Sequence, residues 1–368
     1  MSLYCVYGTL IMELFPFIPR DVGLQCLLRV HYKSHCNLTS VCRSWEAAVN
    51  NPEFYETRKQ IGTSEQIICL FVEFREDGDA PQYAVVVYDP LQDAWETLPD
   101  LPHFPGCYQK IPEYTECVSV NQRLVLIGGY NPTEEEDVNT VFIYDFSSAK
   151  WIRGADMPMF RTCGALSVSP EGLLYIAGGV DSDDNALRGA AVYSVEEDEW
   201  KLLPDMSQGR FNCYSEFRDG KFFVIGDDAT EVYDPKRGAW TTIPKEEGTP
   251  TLDGGIFCSL GARSFSVHMQ QGVMEYDSNE EAWRAVCPLP RAIEEFTSCV
   301  AWRDKIFVSG FVEGTGDEVF YLFTPPPVAS VAGAQGESFG KWDAIVKPRH
   351  FHVDYAGSHI EFAVTVEI

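Results

Sequence analysis

Few residues of this 368-residue chain have the type and spacing that metal or covalent chemistry requires. Among its seven histidines, only His350 and His352 are spaced so that a β-strand would carry both imidazoles on one face. Two imidazoles in that arrangement can bind a transition metal. Without a third ligand nearby, such a pair is more often an exposed strand edge than a metal site, and we favour the strand edge. The sequence therefore predicts no cofactor and no catalytic centre.

The twelve cysteines indicate a reducing compartment. They form no C-x-x-C pair, which is unlike a zinc site or a disulfide framework, and reduced thiols are typical of the cytoplasm and nucleus. Five of them recur at a similar point of a repeat described next: Cys117, Cys163, Cys213, Cys258 and Cys299. We interpret these five as small side chains on a crowded strand rather than as redox sensors.

A tyrosine precedes a tryptophan by seven residues at five places in the chain. The pairs are Tyr88/Trp95, Tyr144/Trp151, Tyr193/Trp200, Tyr233/Trp240 and Tyr276/Trp283. Successive pairs are separated by roughly fifty residues, and a repeat of that length predicts a propeller or a solenoid.

The clearest unit of this repeat predicts four strands. Thr162–Val168, Leu173–Gly179 and Ala190–Tyr193 are mainly apolar runs, separated by Gly, Pro, Asp and Asn. Such runs indicate strands joined by turns. A short acidic turn then leads to the strand of Trp200. Four strands of this kind form one propeller blade.

Two glycine pairs end the second strand of their units. At Gly128-Gly129 and Gly178-Gly179 the missing side chain permits positive φ and close approach of a neighbour. With the tyrosine and tryptophan that follow, each unit resembles the kelch repeat. A sixth, degenerate unit ends at Trp342 after an insertion. The resemblance implies an all-β, six-bladed kelch β-propeller.

The strand spacing also predicts how the propeller closes. The first unit opens at Gln66–Phe74, which resembles a second strand and lacks a first. A strand at about 359–367 would complete this blade and remove two open sheet edges. We therefore divide the chain into an N-terminal tail at 1–11, a helical domain at 12–60 and a propeller at 61–368.

The helical domain predicts three short helices. Pro19 suits the first turn of one helix. Asn37 caps a second, whose apolar residues continue to Val49 along one helical stripe. Asn51-Pro52 begins the third. Because helices this short cannot bury all their apolar side chains, we expect an exposed apolar patch that binds a partner.

The helical domain resembles an F-box. The motifs of that family appear here as Ile18-Pro19, Asp21-Val22, Cys26–Leu28 and Val41–Trp45. The resemblance implies a small N-terminal all-α F-box domain that binds a Skp-type linker and, through it, a cullin-RING ligase. The residues it implies for linker binding are Ile18, Pro19, Val22, Leu27, Leu28, Leu38, Val41, Cys42 and Trp45. The alternative is a helical cap packed on the propeller.

Nearly the whole chain resembles a small group of plant F-box/kelch proteins, through Asp181–Ala186, Val192-Tyr193 and Trp200–Met206. Known members direct phenylalanine ammonia-lyase or cytokinin response regulators to degradation. The resemblance implies a non-catalytic substrate receptor that accelerates ubiquitin transfer by tethering. A kelch scaffold that binds or inhibits a partner without ubiquitination is the alternative. A metal-dependent kelch enzyme is disfavoured, because the Glu-x-x-x-Asp-x-x-x-His pattern of iron-dependent specifier proteins is absent.

Loop lengths predict which face of the propeller binds a target. The connections from second to third strand and from each blade to the next share one face and are long, and binding residues concentrate on long loops. The candidates on this face belong to types enriched in interfaces. They are Tyr108, Tyr114, Tyr130, Phe160, Arg161, Arg188, Arg210 and Phe211. The alternative is that these are aromatics sealing the blades and solvated arginines.

The negative charge lies on the propeller. The chain has a net charge of −27. Residues 12–60 contain six Lys or Arg and five Asp or Glu, whereas the rest of the chain contains 22 Lys or Arg and 50 Asp or Glu. This surface repels nucleic-acid phosphates and attracts a basic protein partner. No apolar run approaches the eighteen residues of a membrane span. The sequence therefore predicts binding to neither nucleic acid nor membrane.

Overall fold

A computed structural model describes residues 14–74, 82–104, 110–211, 213–226, 228–244, 255–261, 263–277, 282–312, 317–327, 340–346 and 359–368. The predicted N-terminal tail, Tyr108 and the His350/His352 pair lie outside the described residues.

Four α-helices open the described chain. They are α1 (Arg20–Leu27), α2 (His35–Val41), α3 (Arg43–Val49) and α4 (Pro52–Gln60), with a 3-10 turn at Tyr32–Ser34. The proline at the start of α4 needs no backbone hydrogen-bond donor there, and the Asn51 side chain caps this helix by accepting from Glu53 N at 3.0 Å.

The prediction of one continuous helix from Asn37 to Val49 is wrong. Asn37 lies inside α2, and Cys42 has extended backbone (φ −164°, ψ 163°) that separates α2 from α3. The Cys42 carbonyl accepts from the backbone of Trp45 and so begins a new helix. The apolar spacing continues across this break, which is why the sequence pattern did not reveal it.

In the described part of the chain, twenty-four strands follow the helices. The first three are β1 (Gln66–Phe74), β2 (Gln82–Asp89) and β3 (Ala94–Thr97). Next come β4 (Glu116–Val120), β5 (Arg123–Asn131), β6 (Glu136–Asp145) and β7 (Lys150–Gly154). The third group is β8 (Ala165–Val168), β9 (Leu173–Ala177), β10 (Ala190–Ser194) and β11 (Glu199–Leu203). The fourth is β12 (Tyr214–Arg218), β13 (Lys221–Ile225), β14 (Ala229–Asp234) and β15 (Ala239–Pro244). The fifth is β16 (Gly255–Leu260), β17 (Arg263–His268), β18 (Gly272–Asp277) and β19 (Ala282–Cys287). The last strands are β20 (Glu295–Trp302), β21 (Lys305–Phe311), β22 (Glu318–Thr324), β23 (Lys341–Ile345) and β24 (His359–Glu367).

The strands form six antiparallel four-stranded sheets, and the prediction of a six-bladed propeller is confirmed. Blade 1 has the order β24-β1-β2-β3, so the strand of highest residue number is its innermost. Within that blade Gln66 pairs with Glu367 and Phe71 with Phe362. The other blades are β4–β7, β8–β11, β12–β15, β16–β19 and β20–β23, numbered 2 to 6.

The repeated tyrosine and tryptophan join neighbouring blades. Tyr193 lies directly opposite Trp200 on adjacent strands, with ring centroids 4.6 Å apart. The Trp200 indole donates at 2.8 Å to the carbonyl of Ala155, which follows the outer strand of the preceding blade. Trp151 bonds in the same way to Pro99, at 2.6 Å. The repeat thus places one indole donor at each of these blade boundaries.

The connections define two faces of the propeller. The long-loop face carries the loops from second to third strand and from each blade to the next, and the short-turn face carries the others. The helical domain packs on the short-turn face at blades 1 and 2. There the Tyr32 hydroxyl donates to Glu96 at 3.0 Å, the Tyr32 ring meets Phe146 edge-on, and Lys33 pairs with Glu96 at 2.9 Å. The long-loop face is therefore opposite the helices.

One apolar cluster spans the two parts of the chain. Leu28, Val49 and Phe54 of the helices share it with Leu124 and Phe146 of blade 2. The predicted alternative of a helical cap is thus correct in its geometry, although it does not exclude a partner on the outer side. Among the described residues no helix is long and apolar enough to cross a membrane.

Candidate linker-binding and target-binding surfaces

The outer side of the helical domain exposes apolar side chains. Phe17 is fully exposed, and Ile18, Val22 and Val41 are 42%, 47% and 59% exposed. Pro19 is also exposed. Solvent contact of this extent at four large apolar side chains is typical of a surface that binds a partner. Sequence reasoning identified three of the four and missed Phe17, which precedes the recognisable motif.

Trp45 fixes the segment that carries Phe17 and Ile18. Its indole nitrogen donates to the Leu14 carbonyl at 2.6 Å, and its ring lies 4.8 Å from that of Phe15. The segment before α1 is thereby held against α3, beside the α2–α3 break where Val41 and Cys42 are exposed. The predicted residue Trp45 therefore has a positioning role.

Three of the predicted linker-binding residues are not at the surface. Leu27, Leu28 and Leu38 are buried in the cluster shared with the propeller. Their apolar burial holds the helices together and on the short-turn face. The expectation that they provide contact area to a linker does not fit this burial.

A buried arginine joins the helices to β1. Arg58 donates to the carbonyls of Leu28 and Val30 at 2.7 and 2.8 Å and to that of Thr63 at 2.9 Å, and it pairs with Glu65. A fully buried guanidinium is stable only when such partners surround it. Sequence reasoning missed this role because Arg58 stands among polar residues at the end of α4.

On the long-loop face, three aromatic side chains are exposed. Tyr114, Phe160 and Phe211 are 65%, 50% and 52% exposed. Each lies just before the innermost strand of its blade, in blades 2, 3 and 4 respectively. Arg188 is exposed as well, with its Nε donating to the Met206 carbonyl at 2.8 Å, while Tyr130 is half-buried.

Arg161 is enclosed by its own blade. It is 1% exposed, and its guanidinium donates to the carbonyls of Gly178 and Gly189 at 2.8 and 2.9 Å. Burial lowers the pKa of Arg161 to about 10, because a low-dielectric environment penalises the charged form. The expectation that Arg161 contacts a target does not fit this position.

Arg210 occupies the equivalent place in blade 4 and is also buried. Its guanidinium pairs with Asp228, and its Nε lies 3.8 Å from a carboxylate oxygen of Glu231. These two carboxylates neutralise the cation within the blade. Arg210 therefore orders the loops that precede and follow it, and the expected contact with a target does not fit here either.

Comparisons with known proteins found matches for both the helical domain and the propeller. A family model of the F-box domain matches residues 15–57, and one of the kelch motif matches 114–158 and 161–207. The Arabidopsis thaliana F-box/kelch-repeat protein SKIP20 is 30% identical over 92% of this chain and 94% of its own length. The chain belongs to the F-box/kelch-repeat protein family. The relation to plant F-box/kelch proteins expected from the sequence is confirmed, without any indication of the target.

Two further similarities concern the family and the fold respectively. Another Arabidopsis thaliana F-box/kelch-repeat protein is 36% identical over 60% of this chain and 63% of its own length. The solved structure of YjhT superposes with a TM-score of 0.50 over 71% of this chain and 91% of that one, at 13% identity, which shows a likeness of fold alone.

The kelch matches coincide with blades 2 and 3, the blades that contain the double glycines. In this F-box/kelch-repeat protein the F-box implies a Skp-type linker as a partner, and the kelch propeller implies a protein target. Adaptors rather than enzymes are typical of the family. Among the described residues, no group of three or more His, Cys, Asp or Glu side chains is arranged to hold a metal.

Proposed function

We propose that this protein is the substrate-recognition subunit of a Skp–cullin–F-box E3 ubiquitin ligase. Residues 12–60 bind the Skp-type linker, and residues 61–368 form the propeller that holds the protein to be ubiquitinated. The protein contributes no nucleophile of its own. It raises the rate of ubiquitin transfer by keeping the target near the conjugating enzyme, which turns a bimolecular encounter into a tethered one.

The exposed apolar patch on the helical domain carries this proposal. Phe17, Ile18, Val22 and Val41 remain uncovered although the same helices bury Leu27 and Leu28 against the propeller. Full burial of a side chain of this size contributes about 1.5–3 kcal/mol. Four such residues on one outer surface therefore supply a substantial part of the free energy of binding a linker.

The arrangement of the two faces supports binding of the linker and of the target on opposite sides of the propeller. The helical domain occupies the short-turn face, so linker and ligase assemble on that side. The long-loop face carries the exposed Tyr114, Phe160 and Phe211 and remains accessible to a target. Phenylalanine ammonia-lyase and cytokinin response regulators are the candidate targets, on the strength of the resemblance to plant members that direct them to degradation.

Linker binding is tested by replacing exposed residues of the apolar patch. The double variant Ile18→Ser and Val41→Ser should lower affinity for a purified Skp-type linker at least about tenfold, because two apolar anchors are lost. Affinity is measured by calorimetry, with the melting temperature as a check on folding. The matched control is Leu202→Ser, which alters a 64% exposed apolar residue on the outer strand of blade 3. Unchanged linker affinity in the folded double variant would rule out the assignment.

Target binding and degradation are tested in plant tissue. Affinity purification under proteasome inhibition should recover a cullin, a Skp-type linker and at least one ubiquitinated protein. The Ile18→Ser and Val41→Ser variant should retain that protein and lose the cullin. A partner that is retained but never ubiquitinated, even with the native chain, would identify a scaffold or inhibitor instead.

A further inference from the structure

We infer that the long-loop face of blades 2 to 4 binds a basic segment of a protein partner, with an aromatic or aliphatic residue of that segment lying on the exposed rings of Tyr114, Phe160 and Phe211. The inference rests on the proposed function only in identifying this partner with the ligase target. It concerns the chemistry of the surface, which can be tested without a linker.

The three exposed aromatic residues precede the innermost strands of three successive blades. Glu113, beside Tyr114, exchanges two backbone hydrogen bonds with Tyr130, at 2.7 and 2.9 Å. Gly128, two residues before Tyr130, packs against the backbone of the next blade. A Cβ placed on Gly128 would lie 3.2 Å from the Arg161 carbonyl. Phe160 precedes Arg161 directly, so Tyr114 and Phe160 flank one blade boundary.

The next boundary repeats this contact. Gly179 N donates to the Arg210 carbonyl at 2.7 Å, and a Cβ placed on Gly178 would lie 2.3 Å from the same oxygen. Phe211 follows Arg210, so it continues the series that Tyr114 and Phe160 begin. Exposed aromatic rings on successive blades offer apolar surface on which a partner's side chains can pack.

Lys110 and Arg188 are exposed on this face, but the two arginines next to Phe160 and Phe211 are buried and not available to an acidic partner. Arg161 is enclosed by the carbonyls of Gly178 and Gly189. Arg210 is buried and paired with Asp228 and with Glu231. Because Arg161 and Arg210 are only 1% and 7% exposed, an incoming carboxylate could reach them only if the surrounding loops moved.

The exposed charges that remain around the aromatics are mainly acidic. Glu134 and Glu135 in the blade 2 loop and Asp183 and Asp184 in the blade 3 loop are all exposed. The two loops touch, since the Ser182 hydroxyl donates to Asp137 at 2.7 Å. They form a continuous acidic border on one side of the rings.

The acidic border selects for a basic partner. Such a border attracts lysine and arginine and repels phosphates and acidic proteins. A guanidinium or ammonium group can also lie over the face of an exposed aromatic ring. A peptide segment with several Lys or Arg and one or two large apolar side chains would match both the acidic border and the exposed aromatic rings.

The test is a selection of random twelve-residue peptides, displayed on phage, with the immobilised full-length protein. We expect enriched peptides to carry net positive charge and at least one aromatic or aliphatic residue. Synthetic fluorescein-labelled copies of the enriched peptides are then titrated by anisotropy. Their affinity should fall as salt rises, because screening weakens charge attraction.

Two variants of this face, each with a matched control elsewhere, test whether the peptides bind here. Phe160→Ser with Phe211→Ser should weaken binding at least about tenfold, whereas Leu202→Ser should leave it unchanged. Glu134→Gln with Asp183→Asn should weaken binding and reduce its salt dependence. The charge control is Glu197→Gln with Glu199→Gln, two exposed carboxylates at the short turn of blade 3.

The inference is overturned by enrichment of acidic or neutral peptides, by the absence of any enriched peptide, or by basic peptides whose affinity is the same in all four variants. Each of these results leaves the linker assignment intact, because the selection contains no linker. Conversely, the Ile18→Ser and Val41→Ser variant should bind the selected peptides normally, even if it shows that the linker assignment is wrong.

Discussion

Gly178 and Gly220 adopt the same backbone conformation in different surroundings. Their φ angles are 69° and 73°, a region that L side chains rarely adopt. A Cβ on Gly178 would lie 2.3 Å from the Arg210 carbonyl of the next blade, whereas one on Gly220 would meet nothing within 4 Å. The pair therefore separates backbone strain from the steric requirement of blade packing.

We predict that Gly178→Ala destabilises the propeller far more than Gly220→Ala. Backbone strain alone should cost about 1 kcal/mol at either position. The collision with the neighbouring blade should raise the cost at Gly178 to at least about 3 kcal/mol. Urea denaturation of the two variants measures the difference, and equal losses would show that blade spacing does not depend on this glycine.

At the scale of single residues, the sequence predicted the face on which a residue lies better than it predicted whether the side chain is exposed or buried. Tyr114, Phe160 and Phe211 lie exposed on the expected face. Arg161 and Arg210, chosen by the same reasoning, are buried, because carbonyls of blade 3 surround the first and carboxylates of blade 4 surround the second. Such enclosure depends on contacts between distant parts of the chain and leaves no local pattern.

Among the elements, α2 contains a titratable group in an apolar setting. Burial and the neighbouring Arg58 guanidinium lower the pKa of His35 to about 4. Its Nε2 lies 3.0 Å from the Val30 carbonyl, and its Nδ1 lies 3.3 Å from the Tyr55 hydroxyl. The ring therefore stays neutral in the folded helices, whereas in the unfolded chain it is protonated below its ordinary pKa of about 6.5.

We predict that this histidine makes the helical domain sensitive to mild acid. Between pH 6.5 and 4 the unfolded state binds more protons than the folded state, so stability falls as the pH falls. The loss should reach about 2 kcal/mol at pH 5 relative to pH 7. The variant His35→Gln keeps a donor for Val30 and should lose less stability over the same interval. Denaturation followed by the helical circular dichroism signal at both pH values compares them, and identical pH dependence would contradict the prediction.

The sequence predicted the strands more reliably than the helices. Strand runs such as Leu173–Ala177 are short and bounded by turn residues, so their limits are visible locally. The α2–α3 break at Cys42 has no such marker, since apolar residues keep their helical spacing through it. The docking of the helices on the short-turn face depends on long-range contacts, such as that of Tyr32 with Glu96.

For the whole molecule, we predict that the ring depends on β24. Deleting residues 358–368 removes every partner of β1 on its inner side, including the pairs of Gln66 with Glu367 and of Phe71 with Phe362. The exposed edge of β1 should then associate with other chains. Light scattering and thermal melting of the purified truncation measure this. A soluble truncation with a cooperative melt would contradict the prediction.

The control for this deletion preserves the strand and removes one of its surface contacts. Glu367 accepts from Ser64 at 2.8 Å and pairs with Lys59 of α4 at 2.9 Å. The substitution Glu367→Gln leaves the backbone ladder intact and should cost at most about 1 kcal/mol, because exposed ion pairs contribute little. It should therefore stay soluble and melt cooperatively.

The pairing of β1 with β24 also sets the order of events during synthesis. Residues 75–358 must leave the ribosome before these two strands can meet, which takes roughly 15–60 s at about 5–20 residues per second. The helices pack on a surface that includes β1 and Glu367. Throughout that interval this surface is therefore incomplete. A ribosome that stalls before residue 359 therefore releases a chain with an open first blade, whose unpaired β1 edge is a feature that the completed propeller lacks.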